Sequence, residues 1–302
     1  VQSLVGRRET PDMVAKRKRP RRPVRACEIW LRGEARFVCA ADQRNLLGWV
    51  DVPSCRAMSG MEDELTEDEA RVRLEALRYV REHRARLARE LTDPEKYPRE
   101  SEPVSVFMAG SPGAGKTEAS IELLEGLDGE APPVLRIDPD ELRELIPGYV
   151  GGNAWLFQEA VSLLVERVLD LAFKQRQTFL LDGTLSSYGV AEKNIHRSIR
   201  KGRLVEIIYV YQEPALAWEF VVAREAEEGR RIRMDTFVQQ YFSARDVVNR
   251  IKRRFGKEVV VDLLLKNTDN STRVFHANVD NVDSRIPEKY DPESLEQLLR
   301  AL

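Results

Sequence analysis

The sequence predicts an α/β fold in which a mainly parallel sheet is flanked by helices, with a further helical segment on its N-terminal side. From Val104 onward, short apolar runs alternate with helical stretches, which is the order that builds parallel sheets. A glycine-rich loop follows the first apolar run directly. With 302 residues, 42% of them hydrophobic, the chain can form one large domain with an appendage.

Residues 1–60 are predicted to be a basic extension outside this domain. They hold 13 lysines and arginines against 6 acidic residues, and they show no sustained helical or strand periodicity. Three interpretations stay open: a basic arm for nucleic acid or a membrane surface, a solvated tail without a role, and a translation start at Met58 or Met61. The three cysteines also fall here, without the paired spacing of a zinc site or a disulfide framework: Cys27, Cys39 and Cys55.

Residues 61–100 are predicted to form one long amphipathic helix and a linker. Thr66 precedes three acidic residues, as an N-cap does, and apolar residues follow at helical spacing. The helix is expected to end near Pro94, and the α/β domain to occupy residues 101–302. No run reaches the roughly 18 apolar residues of a membrane span, so the sequence predicts a cytoplasmic protein.

The glycine-rich loop has the pattern GxxxxGK[ST] of a nucleotide-binding P-loop. Its glycines allow the backbone amides to approach phosphate oxygens, and the helix that follows favours an anion at its N-terminus. Lys116 is expected to contact the β- and γ-phosphates of ATP or GTP, and Thr117 to bind Mg²⁺. The predicted nucleotide-binding residues are Gly110, Ser111, Pro112, Gly113, Ala114, Gly115, Lys116 and Thr117.

Acidic residues follow the second and third apolar runs. The second run ends in Asp138 and Asp140, and a kinase needs a carboxylate that accepts the proton of the attacking hydroxyl. Asp138 is predicted to cap the next helix, and Asp140 to be the catalytic base. Asp182 follows the third run in the manner of a Walker B residue, so it is predicted to contact Mg²⁺ or its water. Glu166 shares a helical stripe with other acids and could be a surface residue.

Four arginines lie within the ten residues 224–233. Such a run usually solvates a helix face, but in a P-loop kinase a helical lid carries arginines that neutralise the transferred phosphoryl group. The fold is therefore predicted to be P-loop kinase-like and the protein to be a kinase.

In this order, the motifs resemble those of the zeta toxin family of bacterial toxin–antitoxin kinases, over about Val104 to Asn267. The resemblance implies phosphorylation of the sugar 3′-hydroxyl of UDP-N-acetylglucosamine, which blocks cell-wall synthesis. It further implies that Asp140 is the general base, that Glu166 and Thr184 contact the substrate sugar, and that Arg224 and Arg231 neutralise phosphate charge. An antitoxin protein, or the N-terminal helix acting in cis, is the expected inhibitor.

Two other functions stay open. A P-loop kinase could act on another acceptor, such as a dinucleotide like NAD or a nucleic-acid end. A nucleic-acid-binding NTPase switch could use the basic extension, although residues 61–302 carry 35 basic against 44 acidic residues, which argues against nucleic acid as a partner.

Overall fold

A computed structural model describes residues 65–127, 129, 132–229, 232–269, 271–287 and 289–302. The predicted basic extension at residues 1–60 and its cysteines lie outside the described residues, as does Arg231.

A six-stranded sheet forms the centre of the described chain, in the order β2-β3-β1-β4-β5-β6. The strands are β1 (Val104–Ala109), β2 (Leu135–Ile137), β3 (Phe179–Leu181), β4 (Leu204–Tyr211), β5 (Val259–Lys266) and β6 (Thr272–His276). The first five are parallel, and β6 runs antiparallel to β5 at one edge. The predicted mainly parallel α/β fold is confirmed.

Helices cover the sheet and connect its strands. They are α1 (Glu67–Leu91), α2 (Lys116–Leu127), α3 (Pro139–Glu144), α4 (Gln158–Gln175), α5 (Tyr188–Arg200), α6 (Pro214–Glu228), α7 (Met234–Phe255) and α8 (Pro292–Arg300). Short 3₁₀ turns occur at Ala154–Phe157, Gly256–Glu258 and Val282–Ser284. Within the described residues, no helix is long and apolar enough to cross a membrane.

Helix α1 begins at the predicted cap. The Thr66 hydroxyl accepts a hydrogen bond from the Glu69 amide, and the Glu69 carboxylate accepts one from the Thr66 amide, which completes a capping box. Buried residues on one face, Ala76, Leu77 and Val80 among them, pack chiefly against α4 and the 3₁₀ turn at Ala154–Phe157. Leu74 has the spacing of a core residue, yet it is 66% exposed.

Two hydrophobic layers sandwich the sheet, and successive residues of each strand alternate between them. In β1, Phe107 and Ala109 belong to the layer that contains α4 and α7, whereas Val106 and Met108 belong to the layer that contains α2. In β2, Leu135 and Ile137 face the α4 layer. The residue between them, Arg136, therefore points to the side of the sheet where α2 lies.

Candidate active site

The glycine-rich loop connects β1 to α2 and is held against two neighbouring elements. Gly110 has φ +140°, and a methyl group at its Cβ position would lie 2.3 Å from the carbonyl oxygen of Val210 in β4. Gly113 has φ +70°, and its added Cβ would lie 2.1 Å from the carbonyl oxygen of Ala217 in α6. Only glycine fits both positions. The conformation of residues 110–117, the phosphate cradle, therefore depends on close backbone contact with β4 and α6.

We expect Gly110→Ala to weaken both the fold and nucleotide binding, because the methyl group meets backbone that cannot rotate away. Gly189→Ala in α5 is a matched control, since no atom lies within 4 Å of its added Cβ. It should change neither the ATP affinity nor, by more than about 0.5 kcal/mol, the free energy of unfolding, because Gly189 lies in the first turn of its helix and the added methyl group meets no neighbour. Denaturant unfolding and calorimetry with Mg-ATP measure both effects. Equal ATP affinity of Gly110→Ala and the unmodified protein would contradict the role given to the close contact.

Lys116, the first residue of α2, closes the loop. Its ammonium group donates a hydrogen bond of 2.6 Å to the Ser111 carbonyl oxygen, across the turn of the cradle. Helix α2 begins at this residue, and the amino end of a helix presents free backbone amides and the positive end of the helix dipole. This arrangement suits an oxyanion such as a polyphosphate.

The carboxyl ends of β2 and β3 meet beside this loop. Ile137 of β2 pairs with Leu181 of β3, which pairs with Phe107 of β1. Asp138 and Asp182 each follow directly in the chain, so both carboxylates lie at the edge of the sheet where parallel strands form their ligand crevice. Beyond Asp182, the Thr184 carbonyl oxygen accepts a hydrogen bond of 3.2 Å from the Gly110 amide. The predicted phosphate and acidic residues therefore lie at one end of the sheet.

Asp138 caps α3, as predicted. One carboxylate oxygen accepts the Asp140 amide hydrogen at 2.8 Å, and the other accepts a hydrogen bond from Arg136 at 2.5 Å. Burial has the largest effect and raises the pKa of Asp138, and the negative charge of Asp182 raises it further. The hydrogen bond from the Asp140 amide and the positive charge of Arg136 lower it. The net direction is upward. The cap fixes the first turn of α3, and with it the backbone of Asp140.

Asp140 is partly exposed and forms an ion pair with a buried arginine. Arg143 donates to its carboxylate at 2.6 Å and to the Gln158 side chain at 3.2 Å. The Arg143 side chain is only 5% exposed, whereas that of Asp140 is 40% exposed. A carboxylate that is fixed on one side and open to solvent on the other can accept a proton from an incoming hydroxyl. Arg143 was not predicted as a site residue, although its spacing three residues after Asp140 on a helix indicates that the two side chains can meet.

Asp182 is buried and bound by two side chains. Its Oδ2 accepts hydrogen bonds from Ser120 at 3.0 Å and from Arg136 at 2.8 Å. The Ser120 hydroxyl also lies 2.8 Å from the Thr117 carbonyl oxygen, which brings Asp182 close to the first turn of α2. Neither Ser120 nor Arg136 was among the predicted site residues. Arg136 is a charged residue inside the short apolar run of β2, and this exception to the apolar pattern could have identified it.

Thr117 and Asp182 offer oxygen ligands of the kind that Mg²⁺ prefers. Over the described part of the chain, no three His, Cys, Asp or Glu side chains converge as a metal site. This donor set fits Mg²⁺ rather than a fully protein-bound ion, because Mg²⁺ in nucleotide sites keeps several waters and phosphate oxygens. Since Oδ2 of Asp182 already accepts two hydrogen bonds, a contact through water suits this residue.

The two residues that the resemblance assigned to the acceptor lie on different elements. Glu166 is on α4, half exposed, and forms an ion pair of 2.6 Å with Lys193 of α5. Thr184 follows β3, and its hydroxyl lies 3.0 Å from that of Ser186. The next residue, Leu185, has a left-handed backbone with φ +52°, which is uncommon for a bulky side chain. Thr184 is therefore next to the P-loop, through the hydrogen bond between its carbonyl oxygen and the Gly110 amide. Glu166 instead contacts α5, through its ion pair with Lys193.

Arg224 lies on α6, the helix whose first turns contact the P-loop. It is partly buried, two turns beyond Ala217. Helix α6 is capped by Gly229 in a left-handed conformation. An added Cβ on Gly229 would lie 3.9 Å from the Gly152 amide nitrogen, so the end of α6 approaches the loop between α3 and α4. The carboxyl end of α6 and the loop that follows α3 therefore come together.

Comparison with known proteins identifies one family. The sequence model described as Zeta toxin matches residues 87–280. Among solved structures, the PezAT chromosomal toxin–antitoxin system of Streptococcus pneumoniae is 18% identical, with a TM-score of 0.51 over 79% of this chain and 88% of that one. A complex of AvrRxo1-ORF1 and AvrRxo1-ORF2 with ATP is 16% identical, with a TM-score of 0.49 over 74% and 76%. At these identities the likeness is one of fold. No curated protein matches the chain.

Proposed function

The chain belongs to the zeta toxin family, and from that premise we propose that it transfers the γ-phosphate of ATP or GTP to the sugar 3′-hydroxyl of UDP-N-acetylglucosamine. The family and the kinase-like fold make it a phosphotransferase and a toxin of the kinase type. Phosphorylation of this acceptor would withdraw a precursor from cell-wall synthesis.

One observation supports the proposal: the phosphate cradle and the acidic residues that follow β2 and β3 lie together at the carboxyl ends of the parallel strands. The hydrogen bond between the Gly110 amide and the Thr184 carbonyl joins the loop to the segment after β3. Ser120 joins the helix after the loop to Asp182. A phosphoryl donor in the cradle would thus lie beside carboxylates, as in-line transfer to a hydroxyl requires.

We assign the roles as follows. Lys116 would contact the β- and γ-phosphates, and Thr117 and Asp182 would hold Mg²⁺, Asp182 through water. The metal would neutralise charge on the phosphates during transfer. Asp140 accepts the proton of the attacking hydroxyl, held in place by its ion pair with Arg143.

The acceptor sugar would contact Glu166 and Thr184. For Glu166 this requires that its carboxylate leave or share the exposed ion pair with Lys193, which costs little in water. Arg224 on α6, together with Arg231, would neutralise the transferred phosphoryl group, for which the planar guanidinium is suited. The approach of α6 to the Gly152 loop favours closure of these groups around both substrates.

We further propose that a separate antitoxin protein restrains the enzyme. One of the solved structures reported above, the PezAT structure, belongs to a toxin–antitoxin system. Helix α1 packs chiefly on α4 and the turn at Ala154–Phe157, which favours a structural role for this helix over inhibition in cis.

The test is phosphorylation by the full chain. The protein is incubated with Mg²⁺ and either ATP or GTP, and with one acceptor at a time: UDP-N-acetylglucosamine, UDP-glucose, NAD or a short RNA. Mass spectrometry should show the gain of one phosphate on UDP-N-acetylglucosamine, and fragmentation should place it on the sugar. Phosphorylation of NAD or RNA alone would replace the proposed acceptor, and transfer to none of the four would contradict the proposal.

A further inference from the structure

Arg136 is a charged residue at the centre of the short strand β2. Leu135 and Ile137 beside it are almost fully buried, and the Arg136 side chain is only 13% exposed. Removing a guanidinium from water is costly unless hydrogen bonds and opposite charge replace the lost hydration. The position therefore requires partners on the α2 side of the sheet.

The guanidinium binds four side chains that come from three separate parts of the chain. Its Nε donates to Ser120 of α2 at 3.1 Å. Its Nη2 donates to Asp138 at 2.5 Å and to Asp182 at 2.8 Å, and its Nη1 donates to Glu141 in α3. One positive charge thus lies among three carboxylates, and the planar fork reaches several of them at once.

These bonds connect the helix after the P-loop to the helix that carries the proposed base. Ser120 lies one turn after Thr117 and contacts its carbonyl oxygen. Asp138 receives Arg136 on one oxygen and the Asp140 amide on the other. Between Arg136 and the backbone of Asp140 there is only the Asp138 carboxylate.

We propose that Arg136 is a positioning residue for phosphoryl transfer, which fixes the amino end of α3, and so Asp140, relative to α2 and the phosphate cradle. The inference rests on the proposed kinase function. It differs from a role in stability alone, because it predicts loss of turnover in protein that is still folded and still binds ATP.

The test compares Arg136→Met, Arg136→Lys and a control, Arg203→Met, in the full chain. Arg203 is also buried, but it bonds Ser105 and the carbonyl oxygens of Val104 and Gln177 at the opposite end of the sheet. With Mg-ATP and UDP-N-acetylglucosamine, Arg136→Met should lower kcat by about 10²-fold, as misplacement of a catalytic group by about 1 Å does. KM for ATP should change much less than kcat, because the P-loop residues themselves are unchanged.

Arg136→Lys should recover part of the lost kcat, since lysine restores the positive charge but not the planar guanidinium. Arg203→Met should lower Tm while kcat per folded molecule stays that of the unmodified protein. If Arg136→Met does not fold, Ser120→Ala removes one arm of the network with little change of volume, and it should lower kcat about fivefold, the worth of one hydrogen bond.

The inference is overturned if folded Arg136→Met turns over at the unmodified rate, or if Arg203→Met lowers kcat per folded molecule equally. If only Ser120→Ala folds, an unchanged kcat in that variant overturns it too. Failure of the unmodified protein to phosphorylate the acceptor would instead count against the proposed function, so the two failures are distinguishable.

Discussion

Lys116→Met should lower phosphoryl transfer by at least about 10³-fold, the largest loss that we expect from a single substitution. The ammonium group closes the cradle through its 2.6 Å hydrogen bond to Ser111, and the same group is placed to contact the phosphates. Loss of one donor to a developing oxyanion typically costs 10²–10³ in rate, and here a full charge is lost with the donor. Methionine keeps an unbranched side chain that lacks only the terminal charged group, so the loop should still fold.

The measurement combines turnover with ATP affinity by calorimetry, and both should fall. Lys257→Met is the matched control, because Lys257 is exposed in the turn before β5, at the opposite end of the sheet. It should behave like the unmodified protein. Normal turnover in folded Lys116→Met would remove the P-loop from the mechanism.

Asp140→Asn should lower kcat by about 10²- to 10⁴-fold and leave the affinity for ATP unchanged, since an amide cannot accept the proton of the attacking hydroxyl. Its carbonyl oxygen can still accept the hydrogen bond from Arg143, so α3 should keep its position. Single-turnover transfer with Mg-ATP separates the chemical step from product release.

Asp246→Asn provides the comparison for this variant. Asp246 forms a similar local ion pair on α7, with Arg250, and both residues are largely exposed. This substitution should leave kcat unchanged. If Asp140→Asn retained full kcat, another group would have to be the base, and Asp138, whose pKa is raised by burial, would be the next residue to replace.

Much of the phosphate site could be predicted because its residues are contiguous. Glycines at fixed spacing between an apolar strand and a helix predict backbone that approaches an anion, and Gly110 and Gly113 have the positive φ angles that this requires. The Thr66 and Asp138 caps were predictable for the same reason, since each depends on neighbours within three residues.

The network around Arg136 could not be predicted in this way. Its partners extend from Ser120 to Asp182, and only the register of β2 and β3 brings them together. The strands after β4 were missed as well. Strand β6 is a short edge strand in which three of the five residues are polar, so its sequence alone is not typical of a strand, and it forms by antiparallel pairing with β5 across a short loop.

The central position of β1 determines when the enzyme can form during its synthesis. Ser105 pairs with Phe179, and Val104 pairs with Leu204, so both neighbours of β1 leave the ribosome long after it. At about 5–20 residues per second, roughly 5–20 s separate β1 from β4. A nascent chain that ends before Val210 lacks the carbonyl against which Gly110 packs. The growing polypeptide therefore stays inactive until β4 has left the ribosome, because the P-loop has no backbone to pack against before then.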